Sequence, residues 1–207
     1  MRKMVLSLFA VALTAGLTYA GAGKYNKVVS PGDKAPAISG VEAYSKAEKC
    51  TIDLDSIKDE VVVVTFLANH CPVVVAYEDR LIDLAKQYEG KPVKFVAICC
   101  TDPDSGLGKV DNLDAIKAKI EEKGYNFAYG YDPSGKIGKA FGAVCTPQTF
   151  VLDKNRVIRY TGAIDDSQNE ARVEKTYLKN AIDAVLGGET VEVAETRAVG
   201  CGIKYKN

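Results

Sequence analysis

The chain has 207 residues, 47% of them hydrophobic, which suits one compact α/β domain with appendages better than two full domains. Lysine plus arginine and aspartate plus glutamate balance at 27 each, and the basic residues are scattered along the chain. Because the charges balance and the basic residues are not clustered, the protein has no positive region that would attract a polyanion. Nucleic acid is therefore excluded as a partner.

The first residues have the layout of a secretory signal. Two basic residues precede an apolar run from Met4 to about Leu17, and small residues follow up to Ala22. The run is short for a membrane span, and no later apolar stretch approaches spanning length. We therefore predict a cleavable signal peptide over residues 1–22 and a secreted or periplasmic protein with no stable membrane insertion after cleavage. The alternative is an uncleaved anchor.

The remaining chain divides into a linker, a domain and a tail. We predict a polar linker over residues 23–34, the folded domain over 35–188 and a C-terminal tail over 189–207. The domain begins with an alternating edge strand at 51–54. An unbroken apolar run at 60–68, rich in β-branched residues, then predicts a central strand buried on both faces.

After this strand the hydrophobic period becomes that of a helix, with a proline in the first turn and Gly90 at the end. The patterns that follow predict a buried strand at 93–100 and a helix that Asp111 or Asn112 caps and Gly124 ends. They then predict a strand at 127–131, a turn at 132–135 with a short helix to Phe141, a hairpin at 149–162, and a last helix from Val173 to Gly187. This order predicts an α/β fold with a central mixed β-sheet flanked by helices, an N-terminal β extension and a C-terminal tail.

The chain has six cysteines: Cys50, Cys71, Cys99, Cys100, Cys145 and Cys201. An even number in an oxidising compartment permits several disulfide connectivities, and their spacing does not choose among them. A domain of this size does not need disulfides for its stability, so we expect some of the thiols to serve chemistry.

Cys71 follows the central strand and starts the first long helix. The free N–H groups of a first helical turn and the positive end of the helix dipole favour a thiolate. A lowered pKa makes a cysteine nucleophilic near neutral pH. We therefore interpret Cys71 as a reactive thiol; the alternative is a small buried core residue.

Two separated segments resemble the thioredoxin superfamily. VTFLANHCPVVVAYEDRLIDLAKQY resembles its strand, active-site turn and first long helix, and FGAVCTPQTFVLDKNRVIRYTGAID resembles its second half. The turn YDPSGKIGKAFG is similar to the peroxiredoxin-like and secreted thioredoxin-like branches. The resemblance implies a thioredoxin-like fold and thiol–disulfide chemistry. It aligns Cys71 with the first cysteine of the Cys-x-x-Cys motif and Thr146-Pro147 with the cis-proline.

The active-site motif, Ala68-Asn69-His70-Cys71, departs from the family pattern. The family's second cysteine would fall at Val74. A narrower group with Cys-Asn-His-Cys-Pro has a cysteine where this chain has Ala68, and peroxiredoxins have a threonine there. The tail Gly200-Cys201-Gly202-Ile203-Lys204-Tyr205 nevertheless matches that narrower group. Cys71 is therefore a one-thiol site or has a partner distant in sequence.

The resemblance suggests two partners for Cys71. Cys145 lies two residues before Pro147, on the loop that packs beside the active-site cysteine in this fold, so we expect it to be the nearest cysteine and assign it a catalytic role. Cys201 is the candidate resolving cysteine, provided that the tail is mobile enough to bring it to the site. Its alternative partner is Cys50.

Four other positions are assigned around the cysteine. His70 is a candidate catalytic residue that could polarise Cys71 or transfer a proton; alternatively it only shapes the turn. Thr146, Pro147 and Pro72 are assigned to substrate binding by the same resemblance.

The sequence thus predicts an exported thiol–disulfide oxidoreductase or peroxiredoxin-like antioxidant protein without cofactor or metal. Its partners would be a protein or small-molecule disulfide or a peroxide, and an external thiol that donates electrons. The alternative function is a non-enzymatic binding module that holds an extended peptide or a soft metal such as copper.

Overall fold

A computed structural model describes residues 23–206, and the predicted signal peptide over residues 1–22 lies outside the described residues. In the described part the strands are β1 Val41–Ser45, β2 Glu48–Ile52, β3 Val61–Phe66, β4 Val93–Cys99, β5 Ala128–Tyr131, β6 Cys145–Thr146, β7 Gln148–Leu152, β8 Ile158–Gly162 and β9 Cys201–Gly202. The α-helices are α1 Pro72–Gln87, α2 Leu113–Lys123, α3 Lys136–Phe141 and α4 Tyr177–Leu186.

A mixed sheet organises the domain, with the strand order β2-β1-β5-β4-β3-β7-β8. β3 runs parallel to β4 and antiparallel to β7, and β4 runs parallel to β5. The β1–β2 hairpin extends the sheet at one edge. β6 and β9 form a separate antiparallel ribbon. The predicted α/β fold, with its central mixed sheet and N-terminal β extension, is confirmed.

The central strand β3 is buried on both faces, as the run of β-branched residues predicts. Successive side chains of a strand point to opposite faces. Val61 and Val63 therefore pack on the face that carries α1, α2 and α4, whereas Val62 and Val64 pack on the face that carries α3. The carboxyl end of β3 then leads directly into the turn that precedes α1.

The helix boundaries follow local signals. The Asn112 side chain accepts a hydrogen bond from the Ala115 amide at 2.9 Å and caps α2, which ends at Gly124 in the left-handed region. The last helix begins at Tyr177 rather than at Val173, because residues 170–172 form a separate 3-10 turn. No helix within residues 23–206 is long and apolar enough to cross a membrane.

The segments predicted as a linker and a tail are both packed on the domain. The Glu195 carboxylate accepts hydrogen bonds from the amides of Lys24, Tyr25 and Asn26 at 2.7–2.8 Å. The amide of Thr161 in β8 donates to the Ala194 carbonyl at 3.0 Å. The predicted linker is therefore tied to the C-terminal segment, because the amides of residues 24–26 donate to the Glu195 side chain.

Of the three charged residues at positions 78–80 of α1, only Asp79 is exposed, and the other two pair with distant elements. Glu78 is fully buried, and its carboxylate faces the ammonium groups of Lys119 and Lys123 at 3.6 and 3.5 Å. Arg80 pairs with Asp165, which lies beyond β8. Ion pairs between distant elements bury these charges, and helical spacing alone cannot reveal such partners.

Candidate active site

Cys71 is the N-cap residue of α1, as the sequence predicts. Its backbone is extended, and Pro72 occupies the first helical turn, where a missing N–H costs no hydrogen bond. The side chain of Cys71 is fully buried in the core on the face that carries α1. A nucleophile in this position has the amide groups of the first turn close to its sulfur, but no direct access to solvent.

The β6–β9 ribbon lies over this cysteine. Thr146 is the register partner of Cys201, and Cys145 is the register partner of Gly202. Residues directly opposite each other in a ladder project to the same face, whereas neighbours along a strand alternate. Thr146 and Cys201 therefore share one face of the ribbon, and Cys145 projects from the other.

The contacts of Cys71 agree with this assignment of side chains to the two faces of the ribbon. Its thiol donates a hydrogen bond to the Thr146 carbonyl oxygen at 3.1 Å. Cys201 packs against the core cluster that contains Cys71, and hydrogen bonding with Cys201 and Thr146 lowers the pKa of the Cys71 thiol. No such bond joins Cys71 to Cys145. Cys201 is therefore the thiol that hydrogen-bonds with Cys71, whereas Cys71 acts on Cys145 through its charge. That Cys145 is the nearest cysteine stays a prediction.

Burial by itself would raise the pKa of Cys71, but hydrogen bonds from the Cys201 thiol and from Thr146 outweigh it, and the net pKa is lowered. The Val74 amide in the first helical turn also lowers this pKa, although Cys71 makes no full capping hydrogen bond. These donors stabilise the Cys71 thiolate. The Thr146 carbonyl instead accepts a hydrogen bond from the protonated thiol and stabilises that form.

The other cysteines have raised pKa values. Burial, and then the hydrogen bond to Cys71, raise the pKa of Cys201. Burial raises the pKa of Cys145 to about 11 and that of Cys99 to about 12. Cys99 and Cys100 are buried on opposite faces of the sheet, so both are core residues. All six cysteines are free thiols in this structure.

His70 faces Asp111 rather than Cys71. The Nδ1 atom of His70 pairs with Asp111 Oδ2, and the His70 amide donates to Asp111 Oδ1 at 3.2 Å. Asp111 is fully buried and also accepts a hydrogen bond from the Thr101 hydroxyl at 2.7 Å. The Asp111 carboxylate thereby fixes the residue that precedes the nucleophile. Sequence reasoning treated Asp111 only as a helix-cap candidate and missed this function, for which the sequence carries no signal.

The Thr146–Pro147 peptide bond is cis and joins β6 to β7, at the position that the resemblance implies. Pro72 directly follows Cys71 in sequence and is exposed at the start of α1. Within residues 23–206, no group of three or more His, Cys, Asp or Glu side chains is arranged to hold a metal ion.

A mixed sheet with a helix-start cysteine beside a cis-proline defines a thioredoxin-like protein of the redoxin branch. Residues 31–161 match the AhpC/TSA family, and the chain belongs to this family. It is also 29% identical over 109 residues to the thiol:disulfide interchange protein DsbE of Vibrio cholerae. That match covers 52% of each chain, so this protein spans about half the length of that curated relative.

Two solved structures share the fold over most of the chain. A hypothetical protein from Sinorhizobium meliloti 1021 is 31% identical with a TM-score of 0.76, and the match covers 86% of this chain and 96% of that one. An uncharacterized conserved protein from Geobacillus kaustophilus is 32% identical with a TM-score of 0.75, and the match covers 84% and 92%. The mixed sheet flanked by helices also matches a solved protein of the thioredoxin-like superfamily, which is 21% identical with a TM-score of 0.59 over 74% of this chain and 96% of that one, so the thioredoxin-like fold is confirmed.

We expect the alkylation rate of Cys71 to reach half of its high-pH plateau at a lower pH than that of an ordinary cysteine. Only the thiolate reacts, so the rate falls as the pH drops through the pKa, and a lowered pKa moves this fall to lower pH. Cys145, with a pKa of about 11, should reach its midpoint at a higher pH than an ordinary cysteine. Iodoacetamide labelling of each cysteine, measured by mass spectrometry across a pH series, tests both midpoints.

The Cys201→Ala variant serves as the control, because it removes a donor and should raise the Cys71 midpoint. A Cys71 midpoint at or above that of an ordinary cysteine would contradict the proposed hydrogen-bonding pattern.

Proposed function

We propose that this protein is an exported thiol–disulfide oxidoreductase in which Cys71 is the nucleophile and Cys201 is the resolving cysteine. The observation that carries the proposal is the contact between these thiols at the start of α1, beside the Thr146–Pro147 bond. Their pKa values are shifted in opposite directions. The lowered pKa makes Cys71 the thiolate that attacks first, and the raised pKa keeps Cys201 protonated until the second step.

The chemistry consists of two thiol–disulfide exchanges. The Cys71 thiolate attacks one sulfur of a substrate disulfide, forms a mixed disulfide and releases the other substrate sulfur as a thiolate. Cys201 then gives its proton to that leaving thiolate and attacks the Cys71 sulfur. The substrate departs as a second thiolate, and a Cys71–Cys201 disulfide remains. The substrate has gained two electrons, and an external thiol donor restores both cysteines.

A peroxiredoxin-like antioxidant activity is the second candidate, and membership of the AhpC/TSA family favours it. In that reaction a hydroperoxide would oxidise Cys71 to a sulfenic acid and leave as an alcohol, and Cys201 would then displace water to form the same disulfide. Ala68 is buried where peroxiredoxins carry a threonine hydroxyl, so a peroxide would lack that hydrogen-bond donor. A disulfide therefore suits the site better.

The proposed location is secreted or periplasmic, on the strength of the signal-like first 22 residues. An oxidising compartment contains the protein and small-molecule disulfides that such a site would use. His70 is proposed as a positioning residue, because Asp111 holds it beside Cys71, and Cys145 is proposed as a residue outside the redox pair.

A disulfide map tests this function. We expect one equivalent of diamide to produce a Cys71–Cys201 linkage in the wild type and in Cys145→Ser, since Cys145 lies on the other face of the ribbon. Mass spectrometry of proteolytic peptides with and without reduction identifies the linkage, and insulin and hydroperoxide turnover are measured in parallel. A Cys71–Cys145 linkage would contradict the assignment of Cys201. Absence of turnover with both substrates would leave the alternative of a non-enzymatic peptide-binding module.

A further inference from the structure

The proposed nucleophile has no exposed surface. Cys71 is 0% accessible, although it lies at the start of α1, just after the carboxyl end of β3. Its sulfur contacts Cys201 and Thr146, which are opposite each other in the β6–β9 ribbon. The segment that brings Cys201 to the nucleophile therefore also occupies its surroundings, and no disulfide can approach the Cys71 sulfur while this segment is in position.

The β6–β9 ladder, the packing of Ile203 and Tyr205 on the core, and three further hydrogen bonds hold this segment in place. The Ile203 amide donates to the Val144 carbonyl at 3.1 Å, and the Asp102 amide donates to the Lys204 carbonyl at 2.7 Å. The Tyr205 hydroxyl donates to the Ala143 carbonyl at 2.7 Å. Two of these partners, Val144 and Ala143, lie on the turn before β6, and Asp102 lies on the loop after β4. Residues 200–205 can therefore detach without breaking the seven-stranded sheet.

Close contacts at glycines, one in the segment and two against it, define the position of residues 200–205. A Cβ atom on Gly200 would lie 1.9 Å from the Thr146 carbonyl oxygen and 3.2 Å from the Pro147 nitrogen, which are backbone atoms that cannot give way. At the other end, Cβ atoms on Gly135 and Gly138 would lie 2.7 and 2.4 Å from atoms of the Tyr205 side chain. Residues 200–205 can therefore pack in this position only because positions 200, 135 and 138 carry no side chain.

We propose that residues 200–205 are a gate that must detach before an external substrate can reach Cys71. The proposal concerns regulation of the redox site and rests on the proposed function for its biological meaning. The segment combines two actions in one strand: it supplies the resolving thiol, and it competes with substrates for the edge of β6. Detachment is a local opening whose equilibrium sets the fraction of molecules in which Cys71 can react.

The gate is tested through the chemical reactivity of Cys71, which requires no turnover. We expect Gly200→Val to raise the rate of Cys71 alkylation at least about tenfold, because the new side chain collides with Thr146 and displaces the segment from its position. The rates are compared at the high-pH plateau, where Cys71 is fully ionised, so that a change in its pKa does not affect the comparison. Iodoacetamide labelling of the Cys71 peptide is followed by mass spectrometry.

Gly106→Val is the matched control, since Gly106 is exposed, has no positive φ and has open space around its Cβ position. Its plateau rate should equal that of the wild type. An unchanged rate in Gly200→Val, or an equal rise in both variants, would overturn the gate. If the gate holds but insulin and hydroperoxide are not turned over, the proposed function fails and the gate stands.

A second pair of measurements decides the matter if Gly200→Val does not fold. Tyr205→Ala should raise the plateau rate more than Tyr205→Phe, which loses only the hydroxyl hydrogen bond. In the wild type, hydrogen exchange of the Ile203 and Asp102 amides reports the same opening. Plateau alkylation of Cys71 should be slowed, relative to the denatured chain, by about the protection factor of these amides. Alkylation at the denatured-chain rate, with both amides protected, would overturn the proposal.

Discussion

Replacing Cys201 by serine is expected to lower steady-state reduction of a small disulfide at least about 100-fold, whereas Cys145→Ser should stay within about threefold of the wild type. Serine cannot attack the mixed disulfide, so the enzyme stops after the first exchange. Cys145 projects from the other face of the ribbon and takes no part in either step. Turnover is measured for the three proteins side by side with the dithiol kept limiting, because excess dithiol would itself resolve the mixed disulfide, and these rates give the ratio.

Two further results would identify the cause of this loss. Cys201→Ser should accumulate a mixed disulfide at Cys71 that intact-mass measurement detects. Val74 lies in the first turn of α1, where a Cys-x-x-Cys motif would have its second thiol, so Cys201→Ser combined with Val74→Cys should regain much of the turnover. A larger loss in Cys145→Ser than in Cys201→Ser would mean that the resolving cysteine is Cys145.

Replacing Asp111 by alanine is expected to lower the free energy of unfolding by about 3 kcal/mol, because it removes one partner of a buried polar pair. The carboxylate accepts hydrogen bonds from the His70 amide and from the Thr101 hydroxyl, and it pairs with the His70 ring. Without it, these donors are left buried and unsatisfied. Urea unfolding followed by circular dichroism measures the change.

Asp111→Asn and Asp79→Ala are the controls for this prediction. Asparagine retains an acceptor oxygen and should lose less stability than alanine. Asp79 is an exposed acidic residue on α1, and its replacement should change the stability by less than about 0.5 kcal/mol. Equal stability of Asp111→Ala and the wild type would mean that the Asp111 cluster does not support the turn before Cys71.

The sequence predicts the elements of this fold well because each carries its own local signal. The buried run of β3 and the caps of α2 are readable from neighbouring residues alone. The helix start at Cys71 is readable for the same reason, since a proline directly follows a cysteine at the end of a buried strand.

The partners across the structure are not readable in this way. Which of Cys145 and Cys201 faces Cys71 depends on the register of a two-residue ribbon, and a change of one residue would reverse the answer. The pairing of His70 with Asp111 and the burial of Glu78 against α2 likewise depend on how separate elements dock. The family resemblance suggests both Cys145 and Cys201 as partners but does not choose between them, because the family's local second cysteine is absent at Val74.

The register of the β6–β9 ribbon also limits how the length of this chain can vary. Thr196 is anchored to β8 by backbone hydrogen bonding, and Cys201 is fixed opposite Thr146. An insertion or deletion of one residue between these two points would direct the following side chain to the wrong face, whereas the exposed turn at 187–190 has no such constraint. Among homologues that retain the resolving thiol, length differences should therefore accumulate before residue 194 and be excluded from residues 196–201.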